Sequence, residues 1–261
     1  MNISKANYPS LAKRLYSVWY RHLRVYWRNI ISNAFPPFLE PLIFLAGIGL
    51  GLGSYISTMG GMPYIVFLAT GLPMTAAMWS ASFECTFGTF IRMEFDHIYD
   101  GMLAASINAK DLVLGELLWV GTKGLFFSMA VLIVVSCFKL VPFPTCLLAC
   151  SAGFLTGFMF GALSMTITSF VKTINHFNFF FTGLLSPMFF FCGVVFPIEQ
   201  LPKFLLPVAE AMPLTHTVRL TRAICVMKWE SVLAWDLVYC ILFMIIFGTI
   251  AVVRMRKRLI D

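Results

Sequence analysis

The stretch "LVLGELLWVGTKGLFFSMAVLIVVSCF", residues 112–138, is apolar for longer than a buried core strand or short helix needs, yet it carries Glu116 and Lys123. A helix crosses a hydrocarbon layer of about 30 Å with roughly 20 residues, and this run exceeds that. Five further runs have the same character: residues 36–56, 63–83, 143–170, 174–196 and 232–253. Their apolar residues are continuous rather than alternating, which excludes a transmembrane barrel of short strands. The whole chain agrees: of 261 residues, 59% are hydrophobic and 12% charged, with mean hydropathy +0.85. A soluble domain is about half apolar and a quarter charged. The reading is an all-α polytopic membrane protein, one domain over residues 1–261 with six spans. Pro73 and Pro187 fall inside spans and are expected to kink them.

Lys and Arg set the orientation. Lys5, Lys13, Arg14, Arg21, Arg24 and Arg28 precede the first span; Arg92 and Lys110 follow the second, Lys172 the fourth, and Arg254, Arg256, Lys257 and Arg258 the sixth. The other side has only Lys139, Lys203, Arg219, Arg222 and Lys228. By the positive-inside rule both termini are cytoplasmic. At 100° per residue, Arg14, Ser17, Arg21, Arg24 and Arg28 make one stripe of an N-terminal helix over residues 9–33. Tyr16, Trp19, Leu23, Tyr26, Trp27 and Ile30 make another. A basic face opposed to an aromatic one suits a helix lying in the headgroup plane of the membrane lipid. Residues 197–230 are too polar and proline-rich to span, and too apolar for a solvated loop. They are expected to form two short helices re-entering the outer leaflet.

Several kinds of chemistry have no candidate residues. Gly-Lys does not occur, so the phosphate-binding loop of an ATPase is absent. No His-Glu-x-x-His or Gly-x-Ser-x-Gly occurs, and the four histidines are far apart in sequence. Cys146 and Cys150 could share a helix face, but no histidine or acid accompanies them, so a metal site is not expected. No catalytic residue is assigned. Charges in or beside the spans are Glu40, Glu84, Glu116 and Lys123. They are expected to form a polar anchor between helices rather than a proton relay. Glu116 and Lys123 share a face two turns apart, too far to pair directly unless a neighbouring helix bridges them.

Four stretches carry a resemblance: "EPLIFLAGIGLGLG" from Glu40, "ASFECTFGTFIRM" from Ala81, "IYDGMLAASINAKDLVLGELLW" from Ile98, and "FPIEQLP" with the later "PLTHTVRLTRA" from Phe196. In this order they resemble the integral membrane subunits of ABC-2 type transporters, and among them the nodulation lipo-oligosaccharide exporter permeases. Two departures stand out. Where relatives read Leu-Ala-Thr-Pro, this chain has Leu103, Ala104, Ala105 and Ser106, implying a less sharply broken cytoplasmic helix. Where they read Thr-Pro-Leu, it has Met212, Pro213 and Leu214.

The resemblance implies a homodimer in a bacterial inner membrane, with two copies of an ATP-binding-cassette ATPase beneath it. ATP and Mg would sit on that partner, and no cofactor or nucleic acid on this chain. It places a coupling helix at residues 91–106, with Arg92, Glu94, Asp96, Tyr99, Asp100 and Leu103 as coupling residues. The N-terminal helix, through Arg14, Trp19, Arg21, Arg24, Trp27 and Arg28, would join it at the same partner. Phe177, Phe180, Phe181, Met188 and Phe189 of the fifth span would line an adaptable apolar path. The implied cargo is an amphipathic glycolipid, lipo-oligosaccharide or hydrophobic small molecule moved outward. A drug-efflux permease of the same architecture, a proton-coupled carrier and a scaffolding subunit are the alternatives.

Overall fold

A computed structural model of the chain describes residues 9–105, 107–229 and 231–260. Lys5, Ser106 and Glu230 lie outside the described residues, as does the side chain of Cys146. The order is α1 (Leu11–Arg28), α2 (Ile30–Gly53), a minimal hairpin of β1 (Thr58–Met59) and β2 (Met62–Pro63), then α3 (Tyr64–Phe95). There follow α4 (Ile98–Ala104), α5 (Ala109–Cys137), α6 (Phe143–Thr168) and α7 (177–191). Two short helices, α8 (Leu206–Ala211) and α9 (Pro213–Val226), precede α10 (Val232–Ile260). α3, α5 and α6 run in alternate directions, and α10 runs parallel to α6, its Arg258 meeting Thr168 at the end of that helix. The bundle therefore has one end at α1 and α4, and another at the hairpin, α8 and α9.

The seam between α5 and α6 is the most extensive helix contact. It closes because glycines face each other across it. A Cβ on Gly124 would sit 2.6 Å from the Gly153 carbonyl oxygen, and one on Gly157 would sit 2.8 Å from that of Val120. Gly153, Gly157 and Gly161 recur every four residues along α6, the small-residue pattern that lets membrane helices pack on dispersion forces alone. Around this pair pack α3, α9 and α10. The core runs from Met74 and Met78 of α3 through Leu112, Leu117 and Val120 of α5 to Phe160 and Met165 of α6.

Among the described residues, five helices are long and apolar enough to cross a membrane: α2, α3, α5, α6 from Leu147, and α10. The expected fifth span differs. Its helical pieces have four, five and six residues, rising about 22 Å in all, to which a contiguous 3-10 turn adds about 6 Å. A turn of 3-10 helix at Ile174–His176 precedes it, and bends with Gly193 at φ +76° follow it. Pro187 opens its last piece, directly after a π-turn at Phe181–Leu185. Pro73, by contrast, is enclosed in α3 without interrupting it.

Other boundaries shift for local reasons. The N-terminal helix stops at Arg28, where Asn29 leaves helical geometry at φ −117° and ψ 34°. The first span starts six residues early, at Ile30, and encloses Pro36, Pro37 and Pro41. The second continues through two π-turns to Phe95, so Arg92 and Glu94 belong to α3, and the separate helix after it is only Ile98–Ala104. It ends sharply even without the proline, since Ala105 is extended at ψ −173°. The expected pair of short helices in residues 197–230 is present as α8 and α9, with Pro213 at the first turn of α9, where its missing N–H is not needed.

Gly157→Ala should lower the thermal midpoint of the detergent-solubilised protein by the equivalent of about 1–3 kcal/mol, as overpacking does. Gly47→Ala meets no atom within 4 Å and should leave it unchanged. Equal midpoints for the two variants would refute the glycine seam as the closing contact.

A buried ion-pair network as candidate functional site

Glu116 has no exposed surface, and each of its oxygens is occupied. Oε2 accepts from Arg92 Nη2 at 2.9 Å; Oε1 accepts from the Tyr99 hydroxyl at 2.7 Å and lies 2.8 Å from His22 Nε2. Arg92 also donates through Nη1 to Glu84 Oε1 at 2.7 Å, and Lys123 donates to Glu84 Oε2 at 2.8 Å. The result is a chain Lys123, Glu84, Arg92, Glu116, two acids and two bases, finished by a tyrosine and a histidine. A single buried charge costs several kcal/mol in low dielectric, so the pairing and the remaining hydrogen bonds must be satisfied together. Burial and then the Glu116 carboxylate push the Tyr99 phenol well up, which keeps it a hydrogen donor.

Local geometry explains why these residues meet. Glu84 and Arg92 are about 12 Å apart along an ideal helix. Helical side chains lean toward the N-terminus, so the long arginine reaches back to Glu84, and π-turns at Glu84–Gly88 and Ile91–Phe95 adjust the rotation between them. Such turns mark functional positions in helices. On α5, Glu116 and Lys123 are two turns apart and do not touch. Glu84 and Arg92 of α3 bridge them, as the spacing requires of a neighbouring helix.

α1 enters through His22, which stacks on Trp119 with ring centroids 5.8 Å apart. Beside it Val18 is fully buried against Gly115, where a Cβ would lie 2.6 Å from the Val18 Cβ. Trp19 donates to Thr122 at 3.0 Å, and Arg14 pairs with Asp111 at 2.6 Å. The expected aromatic stripe thus divides. Trp19, Leu23 and Tyr26 turn toward the protein, whereas Tyr16 and Trp27 are exposed, as is Tyr20 outside the stripe. Arg24 and Arg28 are exposed and Arg21 half-buried on the third face. The helix is three-sided because it meets protein, an apolar surface and a polar one. His22 and Asp111 were missed in sequence; the signal was the Val18–His22 spacing, one turn, between the two stripes.

The other expected residues separate. Arg92 and Tyr99 are turned into the network, so neither offers its charged or polar head to a partner. Leu103 is half-buried, while Asp96, Asp100 and Phe95 are exposed at the same turn, and Glu94 pairs with Arg258 of α10 at 2.8 Å. Glu40 is not in the network: it is exposed on α2, at a cleft of about 250 Å³ with Phe44, Trp79 and Phe189. Phe177, Phe180, Phe181 and Met188 are buried within the chain. Phe181 stacks on Trp79, Phe83 and Phe87, and these four serve packing here. Of the five, only Phe189 faces the cleft.

Residues 13–226 match the ABC-2 type transporter family. The chain belongs to that family. It is similar to Nodulation protein J of Sinorhizobium fredii, 35% identical over 79% of each chain. It is similar also to Nodulation protein J of Bradyrhizobium diazoefficiens, 33% identical over 83% of this chain and 82% of that one. The inner membrane transport permease YadH of Escherichia coli is more distant, 22% identical over 78% and 79%. The family match takes in every residue of this permease's ion-pair network, from His22 to Lys123.

Lys123→Met should destabilise the permease by about 3 kcal/mol, at the lower end for a broken buried pair because Arg92 still holds Glu84. Adding Glu84→Gln should cost less than the two single changes summed, with a coupling of about 1–3 kcal/mol. Strict additivity in thermal unfolding would disprove the direct pair.

Proposed function

We propose that this permease is the transmembrane subunit of an exporter, working as two copies with two copies of a separate ATP-binding-cassette ATPase. ATP and Mg are bound by that partner, and the chain itself catalyses nothing. The α1 and α4 end is cytoplasmic and the hairpin end outer, following the Lys and Arg distribution, in a bacterial inner membrane. The observation that carries the reading is the reach of the network. One carboxylate, Glu116, holds α1 through His22, α3 through Arg92 and α4 through Tyr99. A push on α4 from below is therefore delivered to two membrane-crossing helices without an intervening loop. Exposed Phe95, Asp96 and Asp100 supply the surface that a partner would press.

The cargo we propose is amphipathic: a glycolipid or lipo-oligosaccharide, in keeping with the relatives named as nodulation proteins. The cleft between α2, α3, α5 and α7 has the walls for the apolar part, with Phe44, Trp79 and Phe189 beside Glu40. Export of a hydrophobic small molecule by the same device is the second reading, favoured by the mostly apolar wall of that cleft. Reconstitution with a candidate ATPase in liposomes decides between them. Lipo-oligosaccharide should raise ATP turnover and appear in the lumen of vesicles with the ATPase outside. If no ATPase co-purifies and no cargo stimulates turnover, the export reading fails.

Docking and transmission separate by mutation. Asp96→Ala with Asp100→Ala should weaken ATPase co-purification several-fold, while the permease stays inserted. Tyr99→Phe removes one hydroxyl and keeps the packing. It should leave docking intact and reduce cargo moved per ATP, read from paired transport and phosphate-release assays. Unchanged coupling in Tyr99→Phe would remove the network from the transmission route.

A further inference from the structure

At the hairpin end, far from the network, a cavity of about 480 Å³ opens between α9, the bends after α7 and the β-hairpin. That volume lies within the usual range of ligand pockets, about 300–1,000 Å³. Arg222 enters it from α9. Its Nε donates to Thr70 Oγ1 at 3.2 Å, and its Nη2 donates to the carbonyls of Phe67 at 3.2 Å and Gly193 at 2.8 Å. The guanidinium carbon lies 3.7 Å from the centre of the Phe67 ring. Every one of these partners is neutral. Among the described residues no carboxylate comes within ion-pair distance of Arg222, and its Nη1 has no acceptor.

Arg222 is half-buried, and a guanidinium drawn out of bulk water is normally met by a carboxylate or phosphate, because an uncompensated charge in low dielectric is unfavourable. Here burial lowers the pKa of the group to about 10, with Glu199 acting in the opposite sense from farther away. None of the other charges at the cavity comes within ion-pair distance of Arg222. Arg219 is taken by Glu210 at 2.6 Å and Asp236 at 3.0 Å, while Glu199 and Lys228 line the wall as one charge of each sign. Gly193, at φ +76°, brings its carbonyl to Nη2, and the Cβ it lacks would sit 4.0 Å from Nη1. The backbone thereby orients the fork and leaves its remaining arm uncrowded.

We infer that this cavity binds one anionic group, a phosphate, sulfate or carboxylate, through the free N–H bonds of Arg222 Nη1. A neutral polyol would accept the same hydrogens but leave the charge unmet. The group could arrive on a lipid headgroup or as a soluble anion, and the chemistry is the same. The inference concerns binding alone and stands apart from the export reading.

The test uses the whole permease in phosphatidylcholine nanodiscs, with sodium sulfate titrated against chloride at constant ionic strength. A ligand of the folded state should raise the thermal midpoint saturably, by about 2–4 °C. Arg222→Gln should abolish the rise. Because that change also removes bonds to Thr70 and Gly193, Glu199→Gln is the second variant. It leaves every Arg222 contact in place and should lower the half-saturating sulfate at least about threefold. Repeating the titration in phosphatidylglycerol nanodiscs identifies the source. Loss of the sulfate effect there assigns the site to a lipid headgroup, persistence assigns it to a soluble anion, and both uphold it. No rise in phosphatidylcholine, an equal rise in Arg222→Gln, or unchanged half-saturation in Glu199→Gln would overturn it.

Discussion

A carboxylate that water cannot reach must find its counter-charge and hydrogen-bond partners inside the protein, and Glu116 finds Arg92, Tyr99 and His22 on three other helices. In water such contacts are worth little. In a bilayer there is no comparable alternative, because separating the helices would leave charges facing hydrocarbon. The positions of α1, α3, α4 and α5 relative to one another follow from that constraint. Lys123 and Glu84 extend it a further two turns along α5 and fix the rotation of α3 about its axis.

The glycine seam works by the opposite physics. Lipid tails are as apolar as leucine, so α5 and α6 gain nothing from excluding water and associate through close packing of backbones. Gly124, Gly153 and Gly157 make that approach possible, and Gly115 does the same for Val18 of α1. One side of α5 is thus held by charge and another by the lack of side chains. Both devices specify geometry more tightly than a general apolar surface would. They leave α2 and α10 comparatively exposed, with Ile31, Leu50, Trp235 and Ile246 facing outward.

The two ends of the bundle are chemically different. The α1 end exposes Phe95 with Asp96 and Asp100. The hairpin end ties α8, α9 and α10 together through Glu210, Arg219, His216 and Asp236. There Arg222 is the exception, since its partners are hydroxyl and carbonyl oxygens only.

Much of this was legible in order along the chain. Length and apolarity mark the spans of α2, α3, α5, α6 and α10, and the prolines mark α8 and α9, because a backbone in lipid has few ways to satisfy its own hydrogen bonds. Glu116 and Lys123 advertised an anchor simply by being charged in an apolar run. What periodicity could not give was the partner of each. It grouped Trp19 and Tyr26 with Trp27, although the first two pack on protein, and neither it nor the resemblance that named Arg92 and Tyr99 as coupling residues showed that both turn inward. Nor could apolarity show that residues 174–196 fold as a 3-10 turn, a helix divided by a π-turn, and bends at Gly193. A one-dimensional pattern records how apolar a face is. Only the folded chain decides whether that face meets lipid, water or another helix, because this depends on which side chains from distant segments arrive to satisfy it.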